Sequence, residues 1–362
     1  MGRRTSSLDA NRLQAIGRPL LAWYSRAKRD LPWRRSRDPY AVWVSEIMLQ
    51  QTQVERVRDS FVRFIAAFPD VHTLANATED EVLRLWEGLG YYRRARQLHA
   101  AAKQIVVRHA GLFPRSVDGL LELPGIGRYT AGAIASIAMN ISAPILEANS
   151  RRVLARLAAH AAPPDAGGAD AALWTLAAAI VPRRHPGRFN QALMDLGAMV
   201  CTPRQPRCTA CPLAACCAAH QQGREAEIPG RPRRRATESI RESAIVARIG
   251  DRVLVLRRGP GEWWEGLWDF PRLSAVGRGL SPAIERSPLL GPLRCGPPQR
   301  LGSLTHSVTH HRIAVAVVGC EAVRRGRRAA GLAWVPLAKI GRLAMTSPGR
   351  RIAKLAAEWL PE

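Results

Sequence analysis

The chain has 362 residues, room for two or three domains at about 150 residues each. Lys and Arg number 54 against 29 Asp and Glu, a formal charge of +25 on a chain that is 47% hydrophobic. That apolar share excludes a wholly disordered basic tail. The most apolar run, 171–181, is too short to cross a bilayer, and residues 1–8 carry two arginines with no apolar core behind them. A soluble, cytoplasmic protein without a membrane partner is expected. So large a positive excess on a folded chain is the footprint of a polyanion binder. Nucleic acid ranks ahead of anionic membrane, because no basic amphipathic helix with a clean apolar face stands out.

Residues up to about 219 read as helical. Asp38-Pro39 is an N-cap followed by proline at the first helical position. Thr78 with Glu81 makes a capping box. Ala-rich amphipathic runs predict helices over 95–107, 130–139, 151–160 and 170–181, the third entered through a cap at Ser150-Arg151. Residues 221–240 read as a polar, basic linker. Beyond it the pattern changes to α+β. Apolar runs at 243–249 and 253–257 flank Gly250-Asp251, a hairpin signal, and 313–318 is a further strand. Residues 347–360 read as a closing helix, with Ser347 as cap and Pro348 at its start.

Two features carry chemistry. In Leu123-Pro-Gly-Ile-Gly-Arg-Tyr-Thr-Ala131 a helix ends before Pro124, a Gly-x-Gly turn follows, and a new helix starts at about Arg128. Gly125 and Gly127 let backbone approach a phosphate closely, and the N–H groups at the second helix's start can hold it. That is a sequence-independent grip on DNA, and Arg128 joins it. An ordinary helix–turn–helix corner is the competing reading, weakened by the basic chain around it. The second feature is Cys201, Cys208, Cys211 and Cys217, spaced C-x6-C-x2-C-x5-C. Zinc usually takes two close pairs and only one is present, so an iron–sulfur cluster is the better candidate. Cys216 is a spare that packs as a small hydrophobe. Cys295 and Cys320 lie far away. An odd count of seven in a cytoplasmic-looking chain argues against a disulfide framework.

Together these features resemble the helix-hairpin-helix DNA glycosylases with a C-terminal [4Fe-4S] loop. Trp33-Arg34, Asp38-Pro39-Tyr40, Ser45-Glu-Ile-Met-Leu-Gln-Gln-Thr-Gln-Val54, Gly88-Leu-Gly-Tyr-Tyr-Arg93 and Asn190-Gln-Ala-Leu-Met-Asp-Leu-Gly-Ala198 narrow the resemblance to the A/G-specific adenine glycosylases, the MutY family. The likeness covers most of residues 20–220. Trp264-Glu-Gly-Leu-Trp-Asp-Phe-Pro271 resembles the family's MutT-like domain, with no Nudix hydrolase signature of clustered Glu after it.

The resemblance implies a mainly α glycosylase region over 1–220, with a six-helix barrel at about 31–138 and a cluster domain from the N-terminus plus 139–220. A Nudix-like α+β recognition domain over 241–362 follows. It implies a nucleoid-associated monomer acting on double-stranded DNA with A opposite 8-oxoguanine or G. Adenine leaves by base flipping. Glu46 is the general acid for adenine N7, and Asn149 orients the water or the carboxylate. Gln51 wedges into the base stack with Tyr91 beside it. Trp33, Arg34, Leu49 and Gln191 match the adenine pocket. Tyr129 stands where bifunctional relatives resembling endonuclease III carry a Schiff-base lysine, so the reaction is monofunctional. Arg204 and Arg207, inside the cysteine loop, are expected on phosphate. Two departures stand out. Glu147 replaces the family Asp that stabilises the oxocarbenium-like sugar. In the lesion-reading loop Val308-Thr309-His310 replaces Phe-Ser-His, so Thr309 and His310 keep the hydroxyl and imidazole without the aromatic ring. An endonuclease III-like glycosylase/lyase and a catalytically lapsed iron–sulfur DNA-binding protein are the alternatives.

Overall fold

The computed structural model describes residues 10–166, 168–230, 236–274, 277–323 and 331–359. It divides into two compact units: Met1–Asn76 with Gln97–Arg233, and Ala77–Arg96 with Arg234–Glu362. Among the described residues no helix is long and apolar enough to cross a membrane.

The helices run in chain order: α1 (Ala10–Ala27), α2 (Pro39–Leu49), α3 (Val54–Ala67), α4 (Val71–Asn76), α5 (Glu79–Leu85), α6 (Arg93–His109), α7 (Val117–Leu121), α8 (Arg128–Ile137), α9 (Ala148–Leu157), α10 (Ala169–Ile180), α11 (Pro186–Met199) and α12 (Ala218–Gln221). Asp38 starts α2, accepting from the amides of Tyr40 at 3.1 Å and Ala41 at 3.3 Å. Every residue of α2 from Val42 to Met48 is buried. A helix apolar on all sides has no solvent face, which places its single acid, Glu46, inside the protein. The Thr78–Glu81 capping box is formed. In the first unit α1, α9, α10 and α11 share a core around Leu20, Leu154, Phe189 and Leu196, and Cys201, Cys211, Cys216 and Cys217 lie against it.

The second unit is built on a mixed sheet. Its strands are β1 (Glu238–Ile249), β2 (Arg252–Arg257), β3 (Trp268–Asp269), β4 (Arg272–Leu273), β5 (Gln299–Val308), β6 (His311–Glu321) and β7 (Leu332–Pro336). The order is β3-β2-β1-β6-β5, with β4 on β1 and β7 on β2. Only β1 and β6 pair in parallel among the described strands. Alternation along β1 sorts the two faces. Ala244 and Val246 join the core that includes Ile352 of α14 (Ser347–Trp359), while Ile245 and Ala247 join that of Ile284 in α13 (Leu280–Arg286). The 77–96 segment is tied to this unit by ion pairs. Arg350 holds Glu87 at 2.7 and 2.9 Å, Arg257 reaches Asp80 at 2.7 Å, and Arg96 reaches Glu265 at 3.2 Å.

Three local expectations need correction. Helix α9 begins at Ala148, three residues early, because Glu147 itself is the N-cap. The closing helix already contains Ser347. Thr346 Oγ1 accepts the Gly349 amide at 2.9 Å and takes the role expected of Ser347, while Leu360 lies outside the described residues. Strand β1 starts at Glu238, inside the expected linker, because residues 238–248 continue the ladder to β6; residues 231–235 of that linker lie outside the described residues.

Candidate active site

A cleft of about 870 Å³ opens in the first unit between the end of α2, the 125–127 turn, the start of α8 and the start of α9. It brings together Trp33, Arg34, Glu46, Leu49, Gln51, Gly125, Gly127, Arg128, Tyr129, Glu147, Asn149 and Gln191. All twelve were expected at a site from sequence.

Glu46 is 4% exposed. Burial pushes its carboxyl up to about 7, against the pull of a hydrogen bond from the Tyr129 hydroxyl and of Arg34; the Glu147 carboxylate adds to the rise. Burial and the same carboxylates hold the Tyr129 phenol well above its ordinary range, so it stays a donor. Arg34 is clamped by Asp195 through Nη1 at 2.6 Å and Nη2 at 3.0 Å, and Arg29 Nε donates to the same carboxylate at 2.8 Å. Asp195 is fully buried. One carboxylate between two guanidiniums leaves positive charge beside Glu46. Sequence reasoning assigned Asp195 no role, although it lies in a quoted motif. Only the fold brings it to Arg34.

Glu147 caps α9 with its whole carboxylate. Oε1 accepts from Ser150 N at 2.7 Å, and Oε2 from Asn149 N at 2.8 Å and Asn149 Nδ2 at 3.2 Å. Ser150 Oγ returns the bond, accepting from Glu147 N at 2.9 Å. The Asn149 side chain then accepts from Arg152 Nη2 at 2.8 Å, and Arg152 Nε donates to Cys201 O at 2.7 Å. Asn149 can sit there because residue 197 is glycine; a Cβ on Gly197 would lie 2.7 Å from the Asn149 Cβ. Gln191 Oε1 accepts from the Tyr24 hydroxyl at 2.8 Å. Trp33 is buried, edge-on to Phe61.

Gly125 takes φ +75°, and a Cβ there would press on Gln97. Gly127 caps α8 without a side chain at an ordinary φ of −93°, and a Cβ there would meet nothing within 4 Å. Neither strain nor packing explains that glycine; an open backbone surface does. Arg128 stacks 4.1 Å over the Trp174 ring.

The thiols of Cys201, Cys208, Cys211 and Cys217 feel one another. Burial pushes Cys208 and Cys211 up to about 11; at Cys208 the facing Glu225 carboxylate comes next and the neighbouring thiols after it, while at Cys211 the neighbouring thiols add to burial. Such a group becomes four thiolates only if a cation enters, and Arg156, 3.2 Å from Cys201 Sγ, is a partial one. The donor set fits a thiolate-ligated metal group. Cys216 points its thiol to Leu213 O at 3.3 Å. Arg204 is exposed on the loop, and Arg207 Nη2 donates to Met199 O at 2.5 Å.

Tyr91, Thr309 and His310 belong to the second unit. Tyr91 is 51% exposed beneath Arg94, and Thr309 and His310 form the turn between β5 and β6. Gln51, Tyr91 and Thr309 all hold positive φ, at +55°, +48° and +52°. Left-handed backbone at a non-glycine costs about 1–2 kcal/mol, and such strain gathers at ligand sites.

Residues 44–179 match the family model of the HhH-GPD superfamily base excision DNA repair proteins, and residues 243–355 that of the NUDIX domain. A solved thermostable thymine-DNA glycosylase superposes with a TM-score of 0.53 at 29% identity, covering 59% of this chain and 100% of that one. An endonuclease III–DNA complex, TM-score 0.51 at 20% identity over 60% of this chain and 99% of that one, shares the fold. By fold this is a helix-hairpin-helix base excision repair protein with a Nudix-type second domain. The rat adenine DNA glycosylase is 37% identical over 85% of this chain and 71% of its own length. The human one is 34% identical over 86% and 68%. That of Mycolicibacterium smegmatis is 47% identical over 54% and 67%. The chain belongs to the adenine DNA glycosylase family.

Proposed function

We propose that this protein is a monofunctional glycosylase that flips adenine out of double-stranded DNA, opposite 8-oxoguanine or guanine, and hydrolyses its N-glycosidic bond. The observation that carries this reading is the pairing of Glu46 and Glu147 across one cleft. One carboxyl is buried and keeps its proton to about pH 7; the other is held by amides at a helix start.

Glu46, steadied by the Tyr129 hydroxyl, gives its proton to adenine N7, and the neutral base departs with the bond electrons. Positive charge develops on the sugar, and the Glu147 carboxylate stabilises it, as in glycosidases that use two carboxyl groups. Water oriented near Asn149 adds to the anomeric carbon, and its proton returns to Glu46. Tyr129 offers no amine, so no Schiff base forms. Gln51 fills the gap in the stack and Tyr91 faces the opposite base. The 125–128 turn and Arg204 hold phosphate. Thr309 and His310 read the lesion. Cys201, Cys208, Cys211 and Cys217 would hold a [4Fe-4S] cluster, whose positive irons offset the thiolate charge and tie down the loop. Monomeric action and association with the nucleoid complete the reading.

A duplex with A opposite 8-oxoguanine tests it. Strand breaks only after alkali support it; breaks without alkali favour the endonuclease III-like lyase, and no product favours the lapsed protein.

A further inference from the structure

Glu238 opens β1 and pairs across the parallel ladder with His311, the first residue of β6; its amide also donates to His310 O at 3.1 Å. Backbone bonds therefore fix three side chains against one another. Glu238 Oε2 lies 3.2 Å from His311 Nε2, and Oε1 lies 3.7 Å from His310 Nε2. One such atom from each residue falls within 4.8 Å of the other two. Both Nδ1 atoms turn the other way, each 3.4 Å from Thr309 Oγ1. That hydroxyl has one proton and donates it to Val308 O at 2.7 Å. Its oxygen can then only accept, so each neutral imidazole carries its proton on Nδ1. Two Nε2 atoms face one carboxylate, and with both rings neutral their lone pairs are placed where a cation can be held between the three groups.

We propose that Glu238, His310 and His311 form a site for a zinc-class divalent ion, with a fourth position open to water or a phosphate oxygen. The two imidazole-to-carboxylate separations, 3.2 Å to one oxygen and 3.7 Å to the other, lie close to the ligand–ligand edge of about 3.4 Å expected for a tetrahedron with bonds of about 2.0–2.1 Å. Two imidazoles and a carboxylate suit such an ion. Thr309 serves as the outer partner that holds both rings in the ligating tautomer. The Trp263 ring, 4.9 Å from His311, limits the swing of that imidazole. A second consequence rests on the proposed reading of this turn. An ion on His310 removes that imidazole from the lesion base, so zinc lowers the preference for 8-oxoguanine.

The full chain with its iron–sulfur cluster in place, so that its cysteines are committed, is titrated with Zn²⁺ by calorimetry at neutral pH. Wild type takes up one ion; Glu238→Gln and His311→Asn bind it at least about tenfold more weakly. Unchanged thermal transitions show that both variants fold. Copper(II) in place of zinc gives a second readout, nitrogen hyperfine structure from two imidazoles, simplified in His311→Asn. No uptake by wild type, or undiminished uptake by either variant, overturns the site and leaves an ordinary His–Glu ion pair. The functional arm is separate. Zinc should reduce the 8-oxoguanine-over-guanine rate ratio of wild type and leave that of Glu238→Gln unchanged. Uptake with an unchanged ratio keeps the metal site and overturns the role of His310 in reading the base.

Discussion

Glu46 keeps its proton where an exposed glutamate would lose it, and that bears on stability and, on the proposed mechanism, on activity. Its folded value is raised from 4.5 to about 7. The fold therefore favours the protonated form, and the stability this contributes is complete below 4.5 and lost as pH rises through 7. Above 7 the buried charge weighs on the fold by up to about 3 kcal/mol. Glu46→Gln should abolish excision, melt higher than wild type at alkaline pH, and match it in acid. Thermal melts across pH check this. Equal melting at every pH would show that Glu46 ionises freely. Wild-type excision should itself decline above about pH 7 as the acid is lost.

Glu147 makes the opposite case, a carboxylate whose duty as helix cap coincides with its proposed duty toward the sugar. A longer side chain normally loses more entropy on being placed, and a misplacement of about 1 Å can lower rate on the order of a hundredfold. Here three N–H bonds pin it. Glu147→Asp should therefore keep or raise the single-turnover rate by no more than about tenfold, since Asp is itself a favoured cap. Glu147→Gln should lose the rate at least about a hundredfold while losing only about 1 kcal/mol of stability. A wild-type rate in Glu147→Gln would remove the carboxylate from the chemistry.

At the level of the elements, the hairpin separates a glycine that its own backbone needs from one that it does not. Gly125 is demanded by its own backbone; Gly127 is not. Gly127→Ala should change stability by less than about 0.5 kcal/mol, yet weaken DNA binding, because the added methyl occupies the surface where a phosphate would approach. Unchanged affinity in a filter-binding titration would mean that the turn does not touch the backbone of DNA. The hairpin, the capped start of α2 and the cysteine loop were legible in sequence because each is written in neighbouring residues. What was not legible depends on distance or on competition between neighbours. Arg34 meets Asp195 across 161 positions. The start of α9 was misplaced because glutamate is a rare cap. The start of α14 slipped by one because Thr346 and Ser347 both offer a hydroxyl. Arg152, which links Asn149 to Cys201 O, looked like any basic residue on an amphipathic helix.

For the whole molecule, the +25 charge predicts binding that weakens steeply with salt. Arg204→Ala should lower the slope of log affinity against log salt by about one without changing base preference. Arg207→Ala should do this and also loosen the loop, which Arg207 ties to the Met199 carbonyl at the end of α11. A slope unmoved by Arg204→Ala would take that residue off the phosphate.

The second unit draws its 77–96 segment from early in the chain and its sheet from the end. Glu87 closes with Arg350 across 263 positions, and Asp80 with Arg257 across 177. During synthesis a ribosome releases Glu87 long before Arg350 exists, so this segment emerges without its partners. Pairings this distant in sequence close late. A premature stop anywhere before α14 thus does more than truncate the Nudix-type domain. It strands a carboxylate that is only 24% exposed, in a stretch that residues 44–179 of the repair-family match enclose. Synthesis must run through α14 before the early part of the protein has its partner.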